Sequence, residues 1–224
     1  MVRVVDWGER EYGASLDAMR ALVRARRAGD IPDTLILVEH PPVVTVGVEG
    51  DDGAAAASGL PVVTVERGGR ATYHAPGQLV GYPIVDLAPR GRNVRGFIHE
   101  IEETVVRAIA EFGVVGRHLP GRRGVWVGEE RKIASVGVAV EGWVTFHGFA
   151  LNVDLDLAPF DLFHPCGFSG PVMTSLARET GRPISVATVK PHVVRRFEEL
   201  EAAAAESAAL PPTPSVPVPS GPVA

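Results

Sequence analysis

Between Thr34 and Asn152 the chain carries seven short runs rich in β-branched and aromatic residues but only one long helical stripe. That uneven succession constrains the fold more than any other feature. The runs are Thr34–Val38, Val43–Gly47, Val62–Glu66, Gln78–Asp86, Val125–Val127, Lys132–Val140 and Val144–Asn152. Each has strand character, and turn-forming residues separate most of them. The long stripe falls within Val94–Phe112, where Phe97, Ile98, Ile101, Val105, Ile109 and Phe112 recur at helical spacing before the stop signal Gly113. An earlier helix is predicted from Glu11 to about Ala28, with Tyr12, Leu16, Met19 and Val23 on one face, and a third within Val186–Ala205. Strands that come in runs, without a strand-helix-strand rhythm, predict an α+β fold: a mixed or antiparallel sheet with flanking helices. Residues 1–205 are expected to form one domain. Residues 206–224 are expected to be a disordered tail, because six prolines in Pro211–Ala224 leave little to bury.

Composition narrows the functions open to such a domain. The net charge of −5 argues against general nucleic-acid binding, which requires a basic footprint. No apolar span is long enough to cross a bilayer and no secretory leader is evident, so a cytoplasmic protein without membrane contact is expected. No pair of histidines and no His/Cys cluster has metal-ligand spacing, so no metal is expected. Phosphate-binding glycine loops are also missing, which leaves no support for nucleotide use.

Three segments carry chemistry. Arg67-Gly68-Gly69-Arg70-Ala71-Thr72-Tyr73-His74, continuing to Gln78, is dense in polar and flexible residues between two predicted strands. Its glycines allow close backbone approach to a ligand, while Arg67, Thr72 and His74 suit the polarisation of a carbonyl. Lys132 is one of only two lysines among 22 cationic side chains, the rest being arginines that cannot give up a proton. It begins a run whose alternation sends Lys132 and Ala134 to one face and Ile133 to the other. Facing an apolar pocket, a lysine loses hydration of its ammonium form, which favours the neutral amine required of a general base. Cys166, the single cysteine, lies between Pro165 and Gly167, a setting that suits an accessible bend. A nucleophilic thiol needs a group that takes its proton, and Lys132, His74 and His164 are all candidates.

Taken together, His40-Pro41, the run Arg67 to Gln78, Lys132-Ile133-Ala134-Ser135, Phe146-His147-Gly148-Phe149-Ala150-Leu151-Asn152, Pro165-Cys166-Gly167 and Thr174-Ser175-Leu176 resemble the lipoyl(octanoyl) transferase family. The match runs in order over roughly residues 2–200. It implies a bent sheet like that of the lipoate and biotin protein ligase catalytic domain, enclosing an acyl tunnel. It also implies an acyltransferase with Cys166 and Lys132 as catalytic pair. Arg67 to His74, Ser135, Val136, Gly137, His147, Gly148, Phe149 and Ala150 would hold the substrate. The donor would be octanoyl-acyl carrier protein. The acceptors would be lipoyl domains of 2-oxoacid dehydrogenase complexes and the glycine cleavage H protein, and no cofactor would be needed. Two arginine groups, Arg90, Arg92 and Arg95 or Arg122, Arg123 and Arg131, would receive acidic partners. Amides near Gly77-Gln78 or around Cys166 would stabilise the oxyanion. Ala75 departs from the family's usual glycine, which predicts a restricted backbone there. The alternatives are an ATP-dependent lipoate-protein ligase and a cysteine-dependent thioester hydrolase.

Overall fold

A computed structural model describes residues 2–51, 53–162 and 172–209. The elements follow the chain as β1 (Arg3–Glu9), α1 (Tyr12–Ala28), β2 (Thr34–Glu39), β3 (Val43–Val46), α2 (Ala54–Ala57), β4 (Val62–Thr64), β5 (Ala71–His74) and β6 (Gln78–Ile84). After these come α3 (Val94–Ala110), β7 (Gly116–Leu119), β8 (Arg122–Val127), β9 (Arg131–Glu141), β10 (Val144–Asn152), α4 (Leu176–Thr180) and α5 (Val186–Ala209). Seven strands form one sheet in the order β1-β2-β6-β10-β9-β8-β7, in which β1 pairs parallel to β2 and the other neighbours are antiparallel. A second sheet has the order β4-β3-β5. The fold is thus α+β with a mixed sheet, as expected.

Helices cover both faces of the large sheet, and strand alternation divides its side chains between them. On β2, Leu35 and Leu37 join the cluster built on Phe97, Ile101, Val105 and Ile109 of α3 and Val189, Val193 and Phe197 of α5. Ile36 and Val38 join Tyr12, Leu16, Met19 and Val23 of α1 on the other face. This is the period-two pattern of a strand buried on both sides. Helix α1 ends at Gly29, whose φ of 82° lets its amide reach back to the last carbonyls. Helix α3 starts where the Asn93 side chain accepts a hydrogen bond from the Gly96 amide.

Four strands depart from the sequence expectation, among them β7, which no β-rich run announces. β1 is an edge strand whose charged and exposed residues give no clean alternation. β5 lies inside the segment read largely as a connection, and its polar residues are buried because they face a cavity. β9 contains a bulge: Val125 pairs with Ala134 and the next residue, Trp126, with Lys132, which leaves Ile133 extra. A one-residue slip moves side chains to the opposite face. Lys132 therefore lies opposite Ala134, not beside it as simple alternation predicts. Helix α5 continues to Ala209, four residues beyond the expected domain end. The rest of the expected tail lies outside the described residues.

Candidate active site

Where the small sheet and its 67–70 loop cover the middle of the large one, a cavity of about 320 Å³ opens. That is the small end of the range for ligand sites, suited to a short chain more than to a bulky ligand. Its wall takes Arg67, Gly68, Gly69, Arg70, Ala71, Thr72 and His74 from the loop and β5, and Lys132, Ser135, Val136 and Gly137 from β9. His147, Gly148, Phe149 and Ala150 of β10 complete the group expected from the sequence. Tyr73 is not on this wall; strand alternation turns it into the core, where its ring meets Phe160 edge-on at 5.5 Å. Cys166, like His164, lies outside the described residues.

The loop sits on the sheets backbone to backbone. A Cβ on Gly47 would stand 2.3 Å from the Gly69 carbonyl oxygen, and one on Gly137 would stand 2.8 Å from that of Gly68. Arg67 holds the arch from beneath, donating to the carbonyls of Thr45 and Arg70 at 2.8 Å and to Gly68 at 3.1 Å. Its guanidinium thus braces the loop as well as lending positive charge to the cavity. Ala75 has an ordinary backbone angle, so alanine adds no left-handed strain there.

His147 reaches the cavity by an unusual route. Alternation along β10 would place it opposite Phe146, but its φ of 57° turns it so that the two rings lie 4.9 Å apart. A non-glycine residue in this region stores strain of about 1–3 kcal/mol. The Tyr12 hydroxyl lies 3.5 Å from His147 Nδ1, at the limit for a hydrogen bond. His147 Nε2 lies 3.6 Å from a Glu66 carboxylate oxygen, too far for one. Among the described residues, this nitrogen and the Thr72 hydroxyl are buried without hydrogen-bond partners. Both stand on the cavity wall, available to a bound polar group.

Neutral histidines line the interior. His40 donates from Nδ1 to the Arg10 carbonyl and accepts at Nε2 from the Tyr82 hydroxyl, both at 2.7 Å. His74 donates from Nδ1 to Gln78 Oε1 at 2.7 Å, and Gln78 in turn donates to Tyr73 O and Asn152 Oδ1. Burial pushes His40 and His147 down to about 4 and His74 to about 3; the Arg67 charge adds to the effect at the latter two. Burial likewise pushes the Tyr12 hydroxyl up to about 12. His74 and His147 thus place uncharged rings on the cavity wall, which tolerate an apolar chain beside them.

Lys132 is 2% exposed, and its Nζ lies 5.7 Å from the Trp126 ring centre. Its backbone is tied to the segment that follows Cys166. The Lys132 amide donates to the Val172 carbonyl at 2.6 Å, and the Thr174 amide donates to the Lys132 carbonyl at 2.9 Å. Asn152 holds the same segment by donating to the Thr174 carbonyl at 2.9 Å. A continuous path of hydrogen bonds thus links His74, Gln78 and Asn152 to Thr174.

The profile of the lipoyl protein ligase A/B catalytic domain matches residues 11–198. The chain belongs to that family. A relative in Syntrophotalea carbinolica named octanoyltransferase is 47% identical over 199 residues, covering 89% of this chain and 94% of the relative. Among solved structures, lipoate-protein ligase A bound with ATP superposes with a TM-score of 0.74 at 18% identity, covering 92% of each chain. Biotin protein ligase from Aquifex aeolicus, in complex with biotin and ATP, gives 0.58 at 14% identity over 92% of this chain and 73% of that one. These two share the fold of this family member.

Several wall residues escaped the sequence reading. Tyr12 read only as part of a helical face and Tyr82 only as part of a strand, although a buried tyrosine also needs a hydroxyl partner, and that need was the available signal. Trp126 arrives with β8 and Gly121 with the turn before it, while Arg122 and Arg123 of β8, expected only on a docking surface, also stand on the wall. Two expectations are corrected. The Gly77 amide donates to Glu39 at 3.0 Å and the Gln78 amide to the Ala75 carbonyl at 3.2 Å, so both are engaged away from an oxyanion. Arg90 is bound to Glu201 and Glu100 with its side chain mostly buried, which removes it from a docking surface.

Proposed function

We propose that this chain transfers an octanoyl group from acyl carrier protein to a lysine of a lipoyl domain, through a thioester on Cys166. Relatives named octanoyltransferase match it over nearly their whole length, and this carries the reading of the reaction. Support for the catalytic pair comes from one observation: the segment following Cys166 returns to the sheet by pairing with Lys132, the buried lysine of the cavity wall.

In this mechanism the neutral amine of Lys132 takes the Cys166 proton. The thiolate attacks the donor's thioester carbonyl, and the tetrahedral intermediate expels the carrier's pantetheine thiolate. Lys132 returns its proton to that thiolate, leaving S-octanoyl-Cys166. The acceptor lysine amine then attacks this thioester. Cys166 leaves and recovers a proton, and Lys132 relays the one released by the amine. Thioester becomes amide, so no ATP is consumed. The unpartnered Thr72 hydroxyl is our candidate donor to the acyl carbonyl, in place of the occupied Gly77 and Gln78 amides. Lipoyl domains of 2-oxoacid dehydrogenase complexes and the glycine cleavage H protein are the acceptors. Arg122 and Arg123, at the cavity, would receive acidic partners. A lone cysteine that must stay reduced fits a cytoplasmic enzyme. Among the described residues, no helix is long and apolar enough to cross a membrane.

The test is intact-protein mass spectrometry after mixing with octanoyl-acyl carrier protein. A hydroxylamine-labile octanoyl adduct is expected, absent from Cys166→Ser. Lys132→Met should form it at least about 100-fold more slowly, the lower range of a general-base contribution. Transfer to a lipoyl domain that survives Cys166→Ser and requires ATP and free octanoate would establish the ligase reading instead.

A further inference from the structure

The chain folds three metal-ligating side chains together outside the cavity. His99 and Glu102 lie one turn apart on α3, and His118 approaches them from β7. One ligand atom from each lies within 4.8 Å of the other two. The two imidazole rings are tilted by 42° with centres 4.4 Å apart. We propose that His99, Glu102 and His118 form a binding site for a first-row divalent transition-metal ion, with Zn²⁺ as its representative.

The surrounding hydrogen bonds support the assignment. Glu102 is buried, and its Oε1 accepts from the Gly124 amide at 2.7 Å. That bond fixes the carboxylate and leaves Oε2 facing His118 Nδ1 at 3.2 Å. His118 Nε2 faces Glu103 Oε2 at 3.1 Å, while Glu103 Oε1 accepts from Arg107 at 2.7 Å. A neutral imidazole donates from one nitrogen only, so two carboxylates flanking the same ring call for one further positive charge, a second ring proton or a metal ion. An ion between Glu102 Oε2 and His118 Nδ1 supplies it and leaves the Nε2 hydrogen to Glu103. This is the carboxylate-histidine-metal arrangement by which outer groups orient a ligand.

Tetrahedral Zn²⁺, with bonds of about 2.0–2.2 Å, sets its ligand atoms roughly 3.4 Å apart. Closing the cluster from its present spread therefore takes side-chain rotations on the order of 1 Å. His99 is exposed, so little packing opposes its share. Two imidazoles and one carboxylate favour zinc, nickel, copper or cobalt over magnesium or calcium, which take oxygen donors. The ion would clamp α3 to the β7–β8 hairpin. Gly121, Arg122, Arg123 and Trp126 of that hairpin lie on the cavity wall, so the clamp would steady one side of it.

The experiment is Zn²⁺ titration by calorimetry on the full chain after chelator treatment. It uses a Cys166→Ser parent, so that no thiol supplies the ligand. One ion per chain is expected, with a rise in Tm on addition of Zn²⁺. His99→Ala and His118→Ala should each weaken binding by more than about 100-fold, beyond the tenfold to 100-fold of outer-group changes. Because His99 is exposed, its variant should keep the parent's Tm without metal and lose only the rise. Absence of binding in the Cys166→Ser parent, or undiminished affinity in both histidine variants, would overturn the site.

Discussion

Gly124 separates Glu102 from Lys132, and Gly124→Ala tests how tightly the lysine is held. The residue has a φ of +100°, and a Cβ there would lie 2.3 Å from the Ala134 carbonyl oxygen and 2.7 Å from Lys132 Cε. A side chain in this backbone region costs about 1–2 kcal/mol, and overpacking a tight interior adds about 1–3 kcal/mol. The expected destabilisation is therefore about 2–5 kcal/mol, against a typical total of about 5–15 kcal/mol. Carbon atoms settle at about 3.5–4.0 Å, so Lys132 Cε must retreat by roughly 1 Å. A 1 Å misplacement of a reacting group costs on the order of 100-fold in rate. Urea unfolding measures the first effect, and octanoyl transfer to a lipoyl domain, normalised to folded enzyme, measures the second. The rate should fall mostly in kcat, under conditions where most of the variant is folded. A variant that loses stability but keeps the wild-type kcat would refute the role given to the position of Lys132. One that keeps both would refute the packing argument itself.

Asn152→Leu removes the side chain that bridges Gln78 and the Thr174 carbonyl, leaving buried polar atoms unpaired at a cost of about 1–3 kcal/mol. Urea denaturation should show this loss, and acyl-adduct formation should slow as the segment after Cys166 loses an anchor. Acid should unfold the protein early. His40, His74 and His147 are held down to about 4, 3 and 4 in the folded state, whereas an unfolded histidine titrates near 6.5. Between those values the unfolded chain binds the extra protons, so this stability is complete above pH 6.5 and is lost as pH falls toward 4. Each histidine contributes about 1.4 kcal/mol per pH unit, or about 4 kcal/mol for the three. Thermal melts followed by circular dichroism should show Tm dropping steeply below pH 6, and a flat profile from 6.5 to 4.5 would contradict their burial. His147→Val places a β-branched residue at a φ of 57° and should cost at least about 1–2 kcal/mol while removing the ring from the cavity.

Local pattern was sufficient for much of this protein. The stripe Tyr12, Leu16, Met19 and Val23 identified α1, and Phe97, Ile101, Val105 and Ile109 identified α3, because a helix repeats its buried face every three to four residues. The β-branched runs identified β2, β6, β9 and β10, and the polar stretch from Arg67 to His74 identified one wall of the cavity. These are properties of neighbours in the chain. Tertiary structure alone decided the rest. The extra residue Ile133 in β9 set which face Lys132 occupies, and the left-handed turn at His147 moved that ring across the sheet. Neither follows from alternation, since each is a departure from it held by cross-strand pairing. Chain spacing also hid the cluster of His99, Glu102 and His118, which pointed to no metal. Sixteen or more residues separate His118 from its partners on α3, and only the packing of β7 against that helix closes the gap.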